Sequence, residues 1–294
     1  MVTNERLVQL AHDYPGEMMY GETYGYRSGL NASMVAHLER KISILESQFG
    51  VQPGDTVLDI GANDATTLKA YRTPGLKRLG IDPSAEKFRS FYTEDISLEV
   101  DFFTADAYRR LSDTPAKLIT SIAMFYDLPD PVAFAKDIAS VLATDGIWHF
   151  EQSYLPIMLA MTSYDTICQE HLEYYSLDVV RQILDAADLQ ILDVTTNDIN
   201  GGSFAVTAGH KGTTYPVSNL ETVDWMLAQE EHLGLRTRAP YEAFAGRMTE
   251  QRDQLLGLLK ALKDSGKRVL GLGASTKGNV ILQYCGIGTD LMTQ

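Results

Sequence analysis

The chain has 294 residues, a formal net charge of −14 and a pI near 4.8. That acidity argues against a protein that neutralises a phosphate backbone, so no nucleic acid is expected as partner. Two cysteines, Cys168 and Cys285, supply neither a disulfide framework nor a zinc-spaced pair, so no metal is expected and a reducing cytoplasm is the expected compartment. No run of eighteen apolar residues occurs and the N-terminus has no signal-type apolar core, so no membrane partner is expected either.

In chain order, residues 1–33 read as a mixed aromatic segment containing the loop YGETYGYRSG (20–29). A helical pattern follows over 34–50, with Gly50 as its stop. Strand-like runs at 56–61, 77–83, 101–106, 117–124 and 146–153 then alternate with helical stretches such as 131–146, which implies a parallel sheet covered on both faces. Ser176 reads as the N-cap of a helix over 176–189. The runs 190–198 and 203–209, joined by INGG, read as a hairpin. Five parallel strands closing on an antiparallel hairpin is the order of a class I methyltransferase, Rossmann-like α/β sheet. Two helices are expected over 219–265. The stretch KRVLGLGASTKGN (267–279) then reads as the strand and turn that start a second α/β unit. The expected division is therefore an N-terminal segment or lid (1–33), a methyltransferase domain (34–215), a helical linker (216–265) and an incomplete nucleotide-binding-like unit (266–294). A companion chain or a homo-oligomer would complete that last unit.

Three places carry candidate chemistry. In VLDIGANDATTL (57–68) a strand ends on Asp59, and Gly61 lets the backbone turn tightly beside a ligand; Asn63 and Asp64 follow. Asp82 ends the next strand, where a carboxylate can accept both ribose hydroxyls of an adenosine. Asp106, after the third strand, is placed to meet the adenine amino group. The alternative is an ordinary strand–turn–helix with acidic caps. The missing GxGxxG and the hairpin order favour S-adenosylmethionine over a dinucleotide. After the fourth strand, Met124, Phe125 and Tyr126 border the expected reactive methyl, with Tyr126 or Asp127 touching substrate; a helix entry capped by Asp127 and Asp130 fits equally well.

The third place is SYDTICQEHLEYYS (163–176). Methylating carbon requires removal of a proton beside a carbonyl, and a histidine of suitable pKa serves. His171 is the candidate base. Glu170 can bind or orient substrate hydroxyls, and Tyr174 and Tyr175 can donate to an enolate oxygen. The competing reading is a loop with packed tyrosines and solvated carboxylates. His149, Glu151 and Ser153 share one face of the fifth strand and are expected to line the cleft at its carboxyl end, with a supporting role for His149. Tyr20, Tyr24, Tyr26 and Arg27 suit a sugar or phosphate, or clamp the N-terminal segment to the core. Ser275 and Lys277 can meet a pyrophosphate.

Together YGETYGYRSG, LDIGANDATTL, GIDPS, SIAMFYDLPDP, WHFEQSY, YDTICQEHLEYYS, NGGSFAVT and GKRVLGLGASTKGN resemble the sugar C-methyltransferases that act on nucleotide-linked 4-keto deoxysugars. The resemblance runs from about Tyr20 to Gly286. It implies methyl transfer from S-adenosylmethionine to the carbon beside a ketone, with His171 removing the proton. It implies that Glu170 and the tyrosine loop, best matched at Tyr24, bind or orient the sugar, and that the GASTKGN turn holds the nucleotide phosphates. The chain departs from that family in four respects. It has no four-cysteine zinc module, and its C-terminal unit stops after one strand and helix. Cys168-Gln169 stand where many members have Tyr-His, and Tyr126-Asp127 where they have a histidine. Ala65 replaces the usual glycine, which requires a negative φ there. The rivals are an O-methyltransferase and a non-catalytic module that keeps only the cofactor fold.

Overall fold

The structure, a computed structural model, describes residues 7–12, 14–21, 24–273 and 275–292. Glu22 and Thr23 of the tyrosine loop and Ala274 of the second glycine turn lie outside the described residues. Strand β1 (Val8–Gln9) and helix α1 (Gly16–Met19) precede helix α2 (Ala32–Gln48). Then come β2 (Thr56–Ile60), α3 (Thr66–Lys69), β3 (Lys77–Ile81), β4 (Ile96–Glu99), α4 (Ala105–Leu111), β5 (Ala116–Ile122), α5 (Pro131–Val141) and β6 (Leu142–Ser153). Helix α6 (Leu155–Met161), β7 (Glu173–Tyr174) and α7 (Leu177–Ala186) lead to the hairpin of β8 (Leu189–Asn197) and β9 (Ser203–His210). Helices α8 (Leu220–His232), α9 (Ala239–Asp264) and α10 (Thr276–Cys285) close the described chain.

The main sheet has seven strands in the order β4-β3-β2-β5-β6-β9-β8. The first five run parallel, and β9 pairs antiparallel with both β6 and β8. The expected class I methyltransferase sheet, with its antiparallel hairpin, is therefore what forms. Strand β2 is buried at every position, as a central parallel strand covered on both faces must be. Trp148, Phe150, Leu118 and Ile119 fill the middle with no exposed surface, and each such side chain contributes about 1.5–3 kcal/mol by leaving water. The one polar atom of Trp148 is satisfied: its indole N–H donates to Ser121 Oγ at 2.9 Å.

Several expectations shift. The third strand is Ile96–Glu99, not 101–106; residues 101–104 carry the chain from its end into α4, whose N-cap is Thr104. Helix α5 stops at Val141, and β6 starts there rather than at Gly146. The stretch 267–273 joins neither sheet. Its Leu270 and Leu272 point to solvent, and only its helix, α10, forms as expected. Ala65 sits at φ +61°, ψ +19°, the left-handed region, and is fully buried. A small side chain therefore tolerates the backbone that a glycine adopts freely, where a negative φ was expected. Asn31, Ser176 and Asp130 cap α2, α7 and α5 with side-chain oxygens.

Candidate active site

The sequence order reverses between β2 and β5, so the loops after them diverge and leave a crevice at the carboxyl ends of the strands. A cavity of about 1050 Å³ occupies it. It is floored by Asp59, Gly61, Asn63 and Asp82 and walled by Phe102, Phe103 and Met124. Tyr24, Tyr26, Tyr126, Asp127, Glu170, His171 and Ser275 also line it.

On the floor, Gly61 has φ +72°, and a Cβ there would come 3.4 Å from Met124 Cγ. The carboxylate of Asp82 accepts from the Asn63 N–H (2.8 Å), the Ser84 N–H (2.6 Å) and the Ser84 hydroxyl (2.7 Å). It is thereby fixed, with lone pairs to spare for a ligand. Asp59 accepts from Thr120 Oγ1 at 2.6 Å. Burial, opposed by the hydroxyls of Thr120 and Thr67, pushes its carboxyl up to about 7.

In the lining, His171 lies 4.4 Å, ring to ring, from Tyr126. Its Nδ1 is 3.0 Å from the carbonyl oxygen of Thr166. A carbonyl only accepts, so Nδ1 carries the proton and Nε2 keeps its lone pair. Burial, and next the nearby Lys277 ammonium, lower the imidazolium pKa to about 4, so the ring is neutral at pH 7. Tyr174 donates to the same Thr166 carbonyl at 3.4 Å. The segment is held from outside as well. Val8 and Gln9 pair with Tyr174 and Glu173, and Leu10 N–H donates to the Leu172 carbonyl at 2.8 Å. Glu170 accepts from Thr276 Oγ1 at 3.4 Å, while the Tyr20 hydroxyl donates to its backbone oxygen at 3.3 Å. Burial holds the phenols of Tyr24 and Tyr126 protonated, and it pushes Asp127 well up despite the Tyr20 hydroxyl.

Six of the expected site residues stand outside this cavity. Asp106 is on the exposed face of α4, ion-paired to Arg109 at 3.1 Å; because the strand ends at Glu99, Phe102 to Thr104 border the cavity in its place. His149 faces away, toward α2. Lys41 Nζ donates to its Nε2 (3.1 Å), and its Nδ1 meets Thr207 Oγ1 (2.8 Å). Asp64 pins the tyrosine loop, accepting from Gly29 N–H at 3.1 Å and facing Arg27 Nε at 3.4 Å. Arg27 itself lies over the Phe91 ring. Tyr174 backs His171 from behind, beside a second, very small cavity. Lys277 is the second residue of α10 and acts on the cavity only through its charge on His171.

Sequence reasoning missed the partners of Glu151 and its neighbour on β6. Glu151, which lines the cavity as the reading of its strand face expected, is the hub of a buried network. It accepts from His37 Nε2 (2.7 Å), Lys41 Nζ (2.8 Å) and Asn197 Nδ2 (2.7 Å), and these partners hold its carboxyl down at about 2 against the opposing effect of burial. Its neighbour Gln152, 1 % exposed, lines the same cavity with neither amide atom hydrogen-bonded. Polar residues on a buried strand are the available signal for both.

A seven-stranded sheet of this order, with acidic residues closing the first two strands of the crevice, defines an S-adenosylmethionine-dependent methyltransferase. The methyltransferase domain family matches residues 34–194, and the chain belongs to that family. The C-methyltransferase C-terminal domain matches residues 198–294. Among curated proteins, the C-methyltransferase NovU of Streptomyces niveus is 28% identical over 284 residues, covering 96% of this chain and 67% of that protein. Among solved structures, the putative methyltransferase complexed with the Haloferax volcanii Trm112 activator aligns with 18% identity over 63% of this chain and 95% of that one, at a TM-score of 0.46. The magnesium protoporphyrin IX methyltransferase of Synechocystis PCC 6803 aligns with 12% identity over 66% and 92%, at 0.45. The chain is an S-adenosylmethionine-dependent methyltransferase. Its floor suits that cofactor. The fixed Asp82 carboxylate offers acceptors for two ribose hydroxyls, and Gly61 admits a ligand where a side chain would crowd Met124.

Proposed function

We propose that the substrate is a nucleotide-linked keto-deoxysugar, that the carbon beside its ketone is methylated, and that His171 is the general base. The observation that carries this reading is the commitment of His171 Nδ1 to the Thr166 carbonyl at 3.0 Å, which leaves Nε2 as an acceptor on the cavity wall. An oxygen nucleophile needs such a base far less than a carbon one does.

S-adenosylmethionine supplies a methyl group on a sulfonium, an electrophile ready for a carbanion. Asp82, Asp59, Asn63, Gly61 and Met124 would hold it. His171 Nε2 takes the proton from the carbon acid, and the charge passes to the ketone oxygen. Tyr24, kept protonated by burial, is a donor available to that oxygen. The tilted ring of Tyr126 packs against the imidazole. Glu170, steadied by Thr276 and Tyr20, orients a sugar hydroxyl. Tyr26 borders the sugar side, and Ser275 and Lys277 mark the approach of the nucleotide phosphates. The link from Thr276 to Glu170 supports that placement, because it ties the turn before α10 to the sugar end of the cavity.

The test is exchange of the substrate's α-hydrogen in deuterated water, with S-adenosylhomocysteine bound and a thymidine diphosphate-linked 4-keto-6-deoxyhexose as probe. Exchange by the native enzyme and a fall of about 10²–10⁴ in His171→Asn are expected, the usual contribution of a general base. Equal exchange by the two proteins overturns the assignment, and a methoxy product overturns C-methylation.

A further inference from the structure

Gln152 is on β6, paired in register with Phe204 of β9. The residue is 1 % exposed, yet neither its amide oxygen nor its amide nitrogen meets a hydrogen-bond partner among the described residues. Leaving a buried amide unpaired costs about 1–3 kcal/mol. A leucine or methionine would fill the same space without that penalty, so folding alone does not account for a glutamine here. Gln152 lines the large cavity with its amide atoms covered, so a ligand that turns the side chain toward that cavity is the available source of partners.

Its position says which ligand. The cofactor floor belongs to β2 and β3, with Met124 following β5. In the sheet order, β6 stands on the far side of β5 from β2 and β3, and adjacent strands are about 4.8 Å apart. Gln152 therefore lies beside the half of the cavity that holds Glu170, His171 and Ser203, where the acceptor substrate goes. An amide presents one acceptor and two donor hydrogens together. A ketone oxygen satisfies only the donor side, and a methylene satisfies neither. A hydroxyl, which donates and accepts at once, satisfies both.

We propose that Gln152 is the specificity-determining residue that reads a ring hydroxyl of the sugar substrate. The proposal deepens the reading given above and rests on it for the substrate class. Sites built to hydrogen-bond a hydroxyl reject the deoxy analogue strongly, because their own polar atoms are then stranded.

The experiment compares the native enzyme with Gln152→Leu, and with Gln152→Met should the leucine variant fail to fold. The probes are a thymidine diphosphate-linked 4-keto-6-deoxyhexose and its 2-deoxy and 3-deoxy counterparts. Binding to the S-adenosylhomocysteine complex is read by calorimetry, and turnover by kcat and KM. The native enzyme is expected to prefer the parent sugar over one of the two deoxy analogues by at least tenfold. The variant is expected to lose that preference through KM, while keeping its affinity for S-adenosylhomocysteine and a melting temperature equal to or above the native one. Unchanged discrimination in the variant, a native enzyme indifferent to both deletions, or a parallel loss of S-adenosylhomocysteine affinity overturns the assignment. If the sugars bind with the expected discrimination and none is methylated or exchanged, the methylation reading fails and the role of Gln152 stands. If methylation proceeds and Gln152→Leu matches the native enzyme, the reverse holds. If no sugar nucleotide binds at all, both fall.

Discussion

The acid limb of the exchange reaction follows from how His171 is held. An imidazole in water titrates near 6.5, so at pH 5 only about 3% of it is neutral and able to take a proton. Burial and the Lys277 charge bring His171 to about 4, which leaves about 90% of it neutral at pH 5. The neutral fraction at pH 5 is therefore about thirtyfold larger than in an unperturbed histidine, so the acid limb moves down even though the ring is a weaker base. The assay is α-hydrogen exchange followed by proton NMR between pH 4.5 and 8, on the S-adenosylhomocysteine complex, with circular dichroism confirming the fold at each pH. A flat profile down to about pH 5 is expected. Removing the ammonium in Lys277→Met should move the limb upward, and incompletely, because burial, the larger cause, remains. The same shift acts on stability. Between pH 4 and 6.5 the unfolded chain binds the proton that the folded ring refuses, so stability rises with pH through that window. His171→Asn removes that part of the slope. A limb centred near 6.5, or one that ignores Lys277→Met, would refute this account of the ring's surroundings.

Two further outcomes test the structure around the base. Glu173, beside the second small cavity, is pushed up to about 8 by burial, against the Tyr175 hydroxyl that donates to it. Its folded form thus keeps a proton that the unfolded chain loses near 4.3, so its contribution to stability is lost as pH rises from about 4 toward 8. Glu173→Gln should match the native protein in melting temperature at pH 5 and exceed it at pH 8.5; a variant that melts lower at both would contradict the sign. At the hairpin, Gly202 has φ +123°, and a Cβ added there would collide with Ile157 Cγ2. Gly202→Ala should cost about 1–3 kcal/mol in backbone strain and a similar amount, about 1–3 kcal/mol, in overpacking. Adding Ile157→Ala should restore the second part only; strictly additive losses in urea unfolding would show that the two side chains do not meet.

The sheet was legible from local patterns because they agree with the tertiary result. Buried runs such as TVLDI and KLITSI have nowhere to go but the centre of a covered sheet, and three glycine- and asparagine-rich residues after Asp198 turn the hairpin, with Asn200, Gly201 and Gly202 all at positive φ. Asp82 and His171 were legible because each follows an element whose end is marked in the sequence. The third strand was misplaced because DFFTAD carries more aromatic and apolar weight than ISLE. Pairing with β3 decides the matter, and Ile96, buried in the apolar cluster that includes Leu76, wins. Asp106 fell with that error. His149 was misjudged for a different reason: alternation gives its face, but not which helix covers that face, and α2 brings Lys41 to it. Two partners of Glu151, His37 and Lys41, lie more than a hundred positions away, a distance over which no pattern speaks.

Those long-range contacts divide the cavity into two halves with different dependences. The floor under Asp59 and Asp82 is made by β2, β3 and β5 and by loops of a few residues, so it forms whenever the sheet forms. The wall with His171 hangs on an excursion, residues 154–176, that leaves β6 and returns to α7 without joining the main sheet. Its position is set from outside: by β1 across β7, by the single bridge between Tyr154 and Tyr175, and by Glu230 of α8. Glu230 is buried and accepts from the Tyr154 hydroxyl (2.7 Å) and from the N–H groups of Leu177 (2.6 Å) and Asp178 (2.9 Å). One carboxylate thus ties both ends of the excursion to the C-terminal helices and occupies the free N–H groups at the start of α7. Glu230→Ala would strand three buried donors, and the wall would loosen before the floor. The expected signature is a loss of α-hydrogen exchange with S-adenosylhomocysteine affinity retained. Equal losses of both would mean that floor and wall form as one unit, and that the C-terminal helices support the whole domain and not the base in particular.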